Sequence, residues 1–139
     1  MPEPRHGYRG YIGSRPYDGE RTPQHVQNLV IRDYAQRRKL PFLLSLTEFC
    51  MPGCYMMLHD ALGDLPHTKG IIIFSLLMLP RRPDLRQQIY ARILSTDSEM
   101  HAALQDIVIR NTDDVGQVEE ILLVHHALAR NSAPRPDAG

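Results

Sequence analysis

Four arginines, Arg5, Arg9, Arg15 and Arg21, flank and punctuate the stretch GYRGYIGSRPYDGER, against only Asp18 and Glu20. Guanidinium groups hold phosphate or carboxylate through paired N–H donors. Where such a loop feeds a helix start, free backbone N–H groups and the helix dipole favour the same charge. Arg9, Arg15 and Arg21 are therefore candidate phosphate ligands, and Tyr11 and Tyr17 candidate stacking surfaces for a sugar or base. Gln24 and His25 fall in the first turn of the helix that follows, where they either face the same ligand or serve to cap the helix. Ser14 and Glu48 are the candidates for proton or acyl chemistry, Glu48 because a partly desolvated carboxylate at a strand end can act as a general base. Salt-bridge pairing of these arginines with Asp18, Glu20 or Glu48 is the plainer alternative. Ser75 and Arg81, after a later strand, complete the candidate binding set.

These side chains need a scaffold that brings strand ends together. Arg9 to Gly13 reads as a short buried strand, and Thr22-Pro23 as a cap and first helical position opening a helix to about Arg38. PFLLSLTEF, from Pro41 to Phe49, reads as a second strand. A helix starting near Pro52 follows, with Leu58, Leu62 and Leu65 on one face and Pro66 as its stop. GIIIFSL, Gly70 to Leu76, is continuously apolar and β-branched, as a central parallel strand covered on both faces would be. Pro83 opens a helix carrying Leu85, Ile89 and Ile93. EMHAALQ, Glu99 to Gln105, reads as a fourth strand, and IVIRN as a short fifth or an extension. The last helix is expected to be capped by Thr112, with Asp113 and Asp114 in its first turn.

This alternation predicts a three-layer α/β domain: a mostly parallel sheet of four to five strands with helices on both faces, joined by right-handed crossovers. One domain over residues 1–130 with a disordered tail over 131–139 is expected. In such folds ligands sit beyond the carboxyl ends of the strands, where strand order reverses. The loops after the first three strands should meet there.

Sixteen basic residues balance sixteen acidic ones, which argues against an extended nucleic-acid footprint. The longest apolar run, Gly70 to Pro80, is about half of what a membrane-spanning helix needs, and the first residues lack the apolar core of a secretory signal. A cytoplasmic protein with no membrane partner is expected. Cys50 and Cys54 have no second pair at metal-ligand spacing and read as partly buried thiols, and His125-His126 reads as a surface and core pair, so no metal and no cofactor are expected. Val118, Ile121, Leu122, Leu123 and Val124 cover more than one stripe of the last helix, predicting a homodimer or higher oligomer.

GYIGS, RTPQHVQNLVIRDYAQRRKL, GIIIFSLLMLPRR and EMHAALQD, in that order over Gly7 to Gln105, resemble the catalytic domain of serine recombinases, the resolvases and invertases. The resemblance implies a resolvase-like fold. In that family a Tyr-x-Arg-x-Ser strand end supplies the nucleophile, and Asp-Arg with a further Arg follows the third strand. Ser14 matches the nucleophile and Arg81 the later Arg, whereas Ile12 or Gly13 stands at the first Arg and Leu77-Met78 at Asp-Arg. DNA strand transfer is therefore not expected. GYRGYIGSRPYDGERTPQHVQNLVIRDY, TEFCMPGCYMML, GIIIFSLLMLP and IVIRN resemble, over Gly7 to about Leu128, the small proteins named for sporadically distributed bacterial carbohydrate gene clusters. That resemblance implies carbohydrate biosynthesis. A phosphorylated or nucleotide-linked sugar is then the expected ligand, in an enzyme or in a non-catalytic partner of a sugar-modifying enzyme.

Overall fold

The computed structural model describes residues 6–14, 22–48, 55–65 and 67–132. Arg15, Tyr17, Arg21, Cys50, Cys54, Pro66 and the expected tail beyond residue 132 lie outside the described residues. Among those described, five strands form one sheet: β1 (His6–Gly13), β2 (Phe42–Glu48), β3 (Thr68–Ile73), β4 (Glu99–Ala102) and β5 (Ile107–Ile109). Their order is β2-β1-β3-β4-β5. The first four run parallel, and β5 pairs antiparallel with β4. The expected mostly parallel α/β sheet is present, with β3 at its centre. Strand order reverses between β1 and β3, as a switch-point site requires.

The helices are α1 (Gln24–Arg37), α2 (Met56–Gly63), α3 (Pro83–Ser95) and α4 (Thr112–Ser132). Alternation along β1 divides them between the two faces. Tyr8 turns toward α1, where its ring and that of Tyr34 both meet His101 edge-on. Arg9 and Tyr11 turn toward α2, Arg9 pairing with Asp64 at 3.3 Å. Side chains join α2, α3 and α4 to one another: Arg92 of α3 donates to the carbonyls of Leu62 and Leu65, and Arg86 of α3 binds Glu119 of α4. Ile71, Ile72 and Ile73 are fully buried between these layers. Gly70 allows β4 and the Tyr8 ring to close in, because a Cβ there would overlap the Glu99 carbonyl oxygen.

Several boundaries differ from the sequence expectation. Pro23, not Thr22, occupies the position before α1, and no side chain caps that helix. α2 begins at Met56 rather than near Pro52. β3 ends at Ile73, after which Leu76–Met78 forms one turn of 3-10 helix, because Ser75 accepts the Leu77 N–H and bends the chain. β4 stops at Ala102, so only the first four residues of EMHAALQ are strand. Asn111, not Thr112, caps α4 through its Oδ1 to the Asp114 N–H, and the helix runs to Ser132, past the expected end of the domain.

α1 and α3 both end by the same device. Leu40 N–H reaches Ala35 O while Lys39 N–H reaches Gln36 O, and Ser98 N–H reaches Ile93 O while Asp97 N–H reaches Leu94 O. Lys39 and Asp97 take left-handed φ values of 58° and 52°. These are Schellman endings built without glycine.

Candidate functional site

At the carboxyl end of β1, Gly13 would have its N–H and C=O facing β3, but β3 has already turned away. Phe74 N–H still reaches Tyr11 O at 3.3 Å. Two residues on, the buried side chain of Gln27 takes over: it accepts from Gly13 N–H at 3.0 Å and donates to Gly13 O at 2.9 Å and Thr22 O at 2.8 Å. One amide thereby stands in for a missing stretch of strand and fixes α1 to the switch point. Sequence reasoning passed over Gln27, although it shares the helical stripe of buried Ile31 and Tyr34, where a polar residue needs a partner.

Ser14 is exposed just beyond this clamp, its N–H and Oγ both donating to the main-chain carbonyl of Glu48. The Glu48 side chain points elsewhere. It is 0% exposed, and its carboxyl accepts from Tyr11 Oη at 2.8 Å, from Met57 N–H at 3.0 and 3.2 Å, and from Leu58 N–H at 3.4 Å. Those amides are the second and third of α2, a helix with neither a capping side chain of its own nor an acidic residue in its first turn. Glu48 is the cap of α2, supplied from the neighbouring strand, and this replaces the expected general base. Tyr11 is fully buried as its hydroxyl donor and presents no ring for stacking. Arg9 points along α2 to Asp64, away from the strand ends. Ser75 is buried too, its Oγ taken by Leu77 N–H and Gln105 Nε2. Four of the expected site residues, Arg9, Tyr11, Glu48 and Ser75, thus build the scaffold. Gln24 is half-buried and His25 exposed on the first turn of α1.

Arg81 is exposed and lines a cavity of about 490 Å³ with Pro83, Arg86, Glu119, Leu123 and His126. Its wall is a polar network. Arg86 binds Glu119 in bidentate fashion, Nε to Oε2 at 2.8 Å and Nη2 to Oε1 at 2.9 Å, and donates through Nη1 to the carbonyls of Pro80 and Arg81. Tyr90 Oη donates to Glu119 Oε2 at 2.6 Å. The Arg86 hydrogen bond holds the Glu119 carboxyl below its ordinary range, and burial is the main cause lifting the Tyr90 hydroxyl above its own. Glu119 is thereby paired within the wall, and Arg81, His126, Leu123 and Pro83 line the cavity beside it.

A second network sits at the opposite, amino-terminal ends of the strands. Tyr34 Oη lies 2.7 Å from His101 Nδ1, and His101 Nε2 lies 2.9 Å from Glu99 Oε1, which also accepts from Tyr8 Oη; Arg110 Nε donates to Glu99 Oε2. Burial lowers the His101 pKa despite the opposing pull of Glu99. His101 is therefore neutral, giving its one proton to Glu99 and accepting Tyr34 O–H, and its contact with Glu99 is a hydrogen bond rather than an ion pair. The sign of the pH dependence follows. The unfolded chain protonates near the ordinary histidine value of 6.5 while the folded protein does not, so stability is full above that pH and declines below it. The melting temperature is expected to fall as pH is lowered from about 7.5 to about 5, and a His101→Gln variant should show a flatter profile over that window. Equal slopes in the two proteins would remove His101 as the cause.

Among the described residues, no cluster of three or more His, Cys, Asp or Glu side chains is placed to hold a metal ion, and no helix is long and apolar enough to cross a membrane.

No protein-family profile matches the chain, and no curated protein matches it. Solved structures do. A resolvase family site-specific recombinase from Streptococcus pneumoniae superposes with a TM-score of 0.61 at 9% identity, covering 88% of this chain and 91% of that one. The N-terminal catalytic domain of TP901-1 integrase superposes with a TM-score of 0.57 at 10% identity, covering 89% of this chain and 98% of that one. At such identities the likeness is one of fold: the chain has a resolvase-like α/β architecture. The position of the expected Asp-Arg pair is filled by Leu77, packed against the core, and Met78, 1% exposed within it.

Proposed function

We propose that the protein is an anion-binding domain on a resolvase-like scaffold, its ligand a phosphorylated or nucleotide-linked sugar held by Arg81 in the cavity between the start of α3 and the middle of α4. The observation that carries this reading is the Arg81 cavity itself. Its volume falls within the roughly 300–1,000 Å³ of small-molecule sites. Among the described residues of its lining, the acidic Glu119 is bound by Arg86, and Arg81 and His126 bring basic groups to the same wall. The motif resemblance to carbohydrate-cluster proteins supports a sugar as the carrier of the anion. Glu48 and Ser14 take no part in catalysis on this reading, since Glu48 is committed to α2; the role is binding, in the cytoplasm.

DNA strand transfer is outside the proposal. Transition-state stabilisation of phosphoryl transfer needs preorganised cationic donors, and apolar Leu77 and Met78 occupy two positions that would supply charge. A second reading, a non-catalytic partner that self-associates or docks on a sugar enzyme, is favoured by the exposure of Leu123, Val124 and Leu128 on α4. A dimer or higher oligomer in sedimentation would support it.

Thermal shift tests the main reading. At 100 times its dissociation constant a ligand should stabilise by about 2.7 kcal/mol. UDP-glucose or inorganic phosphate is expected to raise the melting temperature of the wild type and not of Arg81→Ala, while Ser14→Ala responds as wild type does. A wild type that ignores both probes, or an Arg81→Ala that responds equally, removes the cavity as the site. A covalent adduct with supercoiled plasmid that depends on Ser14 would restore the recombinase reading instead.

A further inference from the structure

α2 and α3 meet along a groove of about 340 Å³ lined by His59, Leu62 and Gly63 from one helix and Gln88, Ile89 and Arg92 from the other. Helical spacing produces this lining: His59 precedes Leu62 and Gly63 by three and four residues, and Gln88 precedes Arg92 by four, so each set shares one helix face. The floor is apolar, because Leu62 and Ile89 belong to the core. The rim is polar, and among the described residues the side chains of His59 and Gln88 have no hydrogen-bond partner.

Arg92 is the orienting group. It donates from Nε to Leu62 O at 3.2 Å and from Nη2 to Leu65 O at 2.8 Å. These two bonds use one edge of the guanidinium and fix its plane against the end of α2. Of its five N–H donors, the two on Nη1 and the second on Nη2 remain, and they form the end-on fork that matches a carboxylate bidentately. An arginine anchored in this way loses little further freedom on binding. The nearby acid Asp64 is engaged by Arg9, and Asp60 follows His59 about 100° further around α2 and does not line the groove.

We infer that this groove is a second ligand site, for a small carboxylic acid with a compact apolar body: the carboxylate sits on the Arg92 fork with Gln88 and His59 beside it, and the body rests on Leu62 and Ile89. The volume suits a molecule of that size. The site lies toward the carboxyl end of α3, whereas the Arg81 cavity lies at its amino end, so the inference does not rest on the proposed function.

Gly63 provides the test. A Cβ built there meets nothing within 4 Å, so Gly63→Leu fills the groove without forcing the backbone. With methyl-labelled full-length protein and millimolar isovalerate as the probe, the Leu62 and Ile89 methyl resonances of the wild type are expected to shift saturably. Gly63→Leu should abolish the shifts while keeping a folded amide spectrum. Arg92→Lys keeps the charge and loses the fork, and should weaken binding about tenfold. Arg81→Ala should bind as wild type does. Absence of shifts in the wild type, their persistence in Gly63→Leu, or equal binding of isoamyl alcohol, which lacks the carboxylate, would each overturn the assignment.

Discussion

Replacing Glu48 with leucine is expected to lower the stability of the protein by about 3–5 kcal/mol and its melting temperature by roughly 10 °C or more. The residue has no exposed surface, and its carboxyl is the acceptor for Tyr11 Oη and for the second and third amides of α2. Leucine fills similar space but accepts nothing. Each buried donor it leaves unpaired costs about 1–3 kcal/mol, and the loss falls on a short helix whose N-cap residue Tyr55 makes no side-chain cap hydrogen bond. Glu48→Gln keeps one acceptor oxygen and should lie between leucine and wild type. Thermal melts of the three proteins decide the matter, with amide exchange of Met57 and Leu58 as the local readout. A Glu48→Leu protein that melts with the wild type would return Glu48 to the role of a free carboxylate in the strand-end crevice.

The same residue marks where sequence reasoning reaches its limit. The strands and helices were legible because their hydrophobic periods are strong: Gly70 to Leu76 reads as a central strand and the structure has it at Thr68–Ile73, and Pro83 opens α3 as its fixed φ allows. That Glu48 lies near the end of β2 was also legible, from a strand expected over Pro41 to Phe49 and found over Phe42–Glu48. What could not be read was that α2 starts at Met56 and takes the Glu48 carboxyl onto its Met57 and Leu58 amides. Arg9 and Tyr11 were partly readable, since period-two alternation sets both on one face of β1 and a covered face leaves no room for a ligand. The expectation that they line a crevice overlooked that alternation.

The polar networks were the hardest to foresee, because each joins residues far apart in the chain. Tyr34, Glu99 and His101 come from α1 and β4, and Arg86, Tyr90 and Glu119 from α3 and α4. Nothing in the local pattern pairs them. Only the general demand that a buried polar group find a partner hints at their existence. Gln27 is the exception, a polar residue on an otherwise apolar helical stripe. The cap at Asn111 was missed by one position for a related reason: Asn111 and Thr112 are both good caps, and the side chain that reaches Asp114 N–H decides between them.

The second large effect is expected at the α3–α4 junction. Glu119→Ala should destabilise the protein by about 3 kcal/mol, the lower end of the range for breaking a buried pair, because the Glu119 side chain keeps 26% of its surface. Arg86 is the buried partner at 9% side-chain exposure and would retain its charge with only the carbonyls of Pro80 and Arg81 to meet it. Tyr90 would lose its acceptor as well. Replacing both partners, Arg86→Met with Glu119→Leu, should cost less than the two single changes added together, since no unpaired charge is left behind. The pH dependence carries the same signature. Arg86 holds the Glu119 carboxyl below the ordinary carboxylate value of 4.5, so the pair's contribution is present above that pH and is lost as pH falls through the lowered value. Urea titrations of the wild type, both single variants and the double variant at neutral and acidic pH measure both effects together. Strict additivity, or a Glu119→Ala protein as stable as wild type at neutral pH, would mean that Arg86 is solvated in spite of its burial. The Arg81 cavity would then lack the neutralised wall on which an anionic ligand depends.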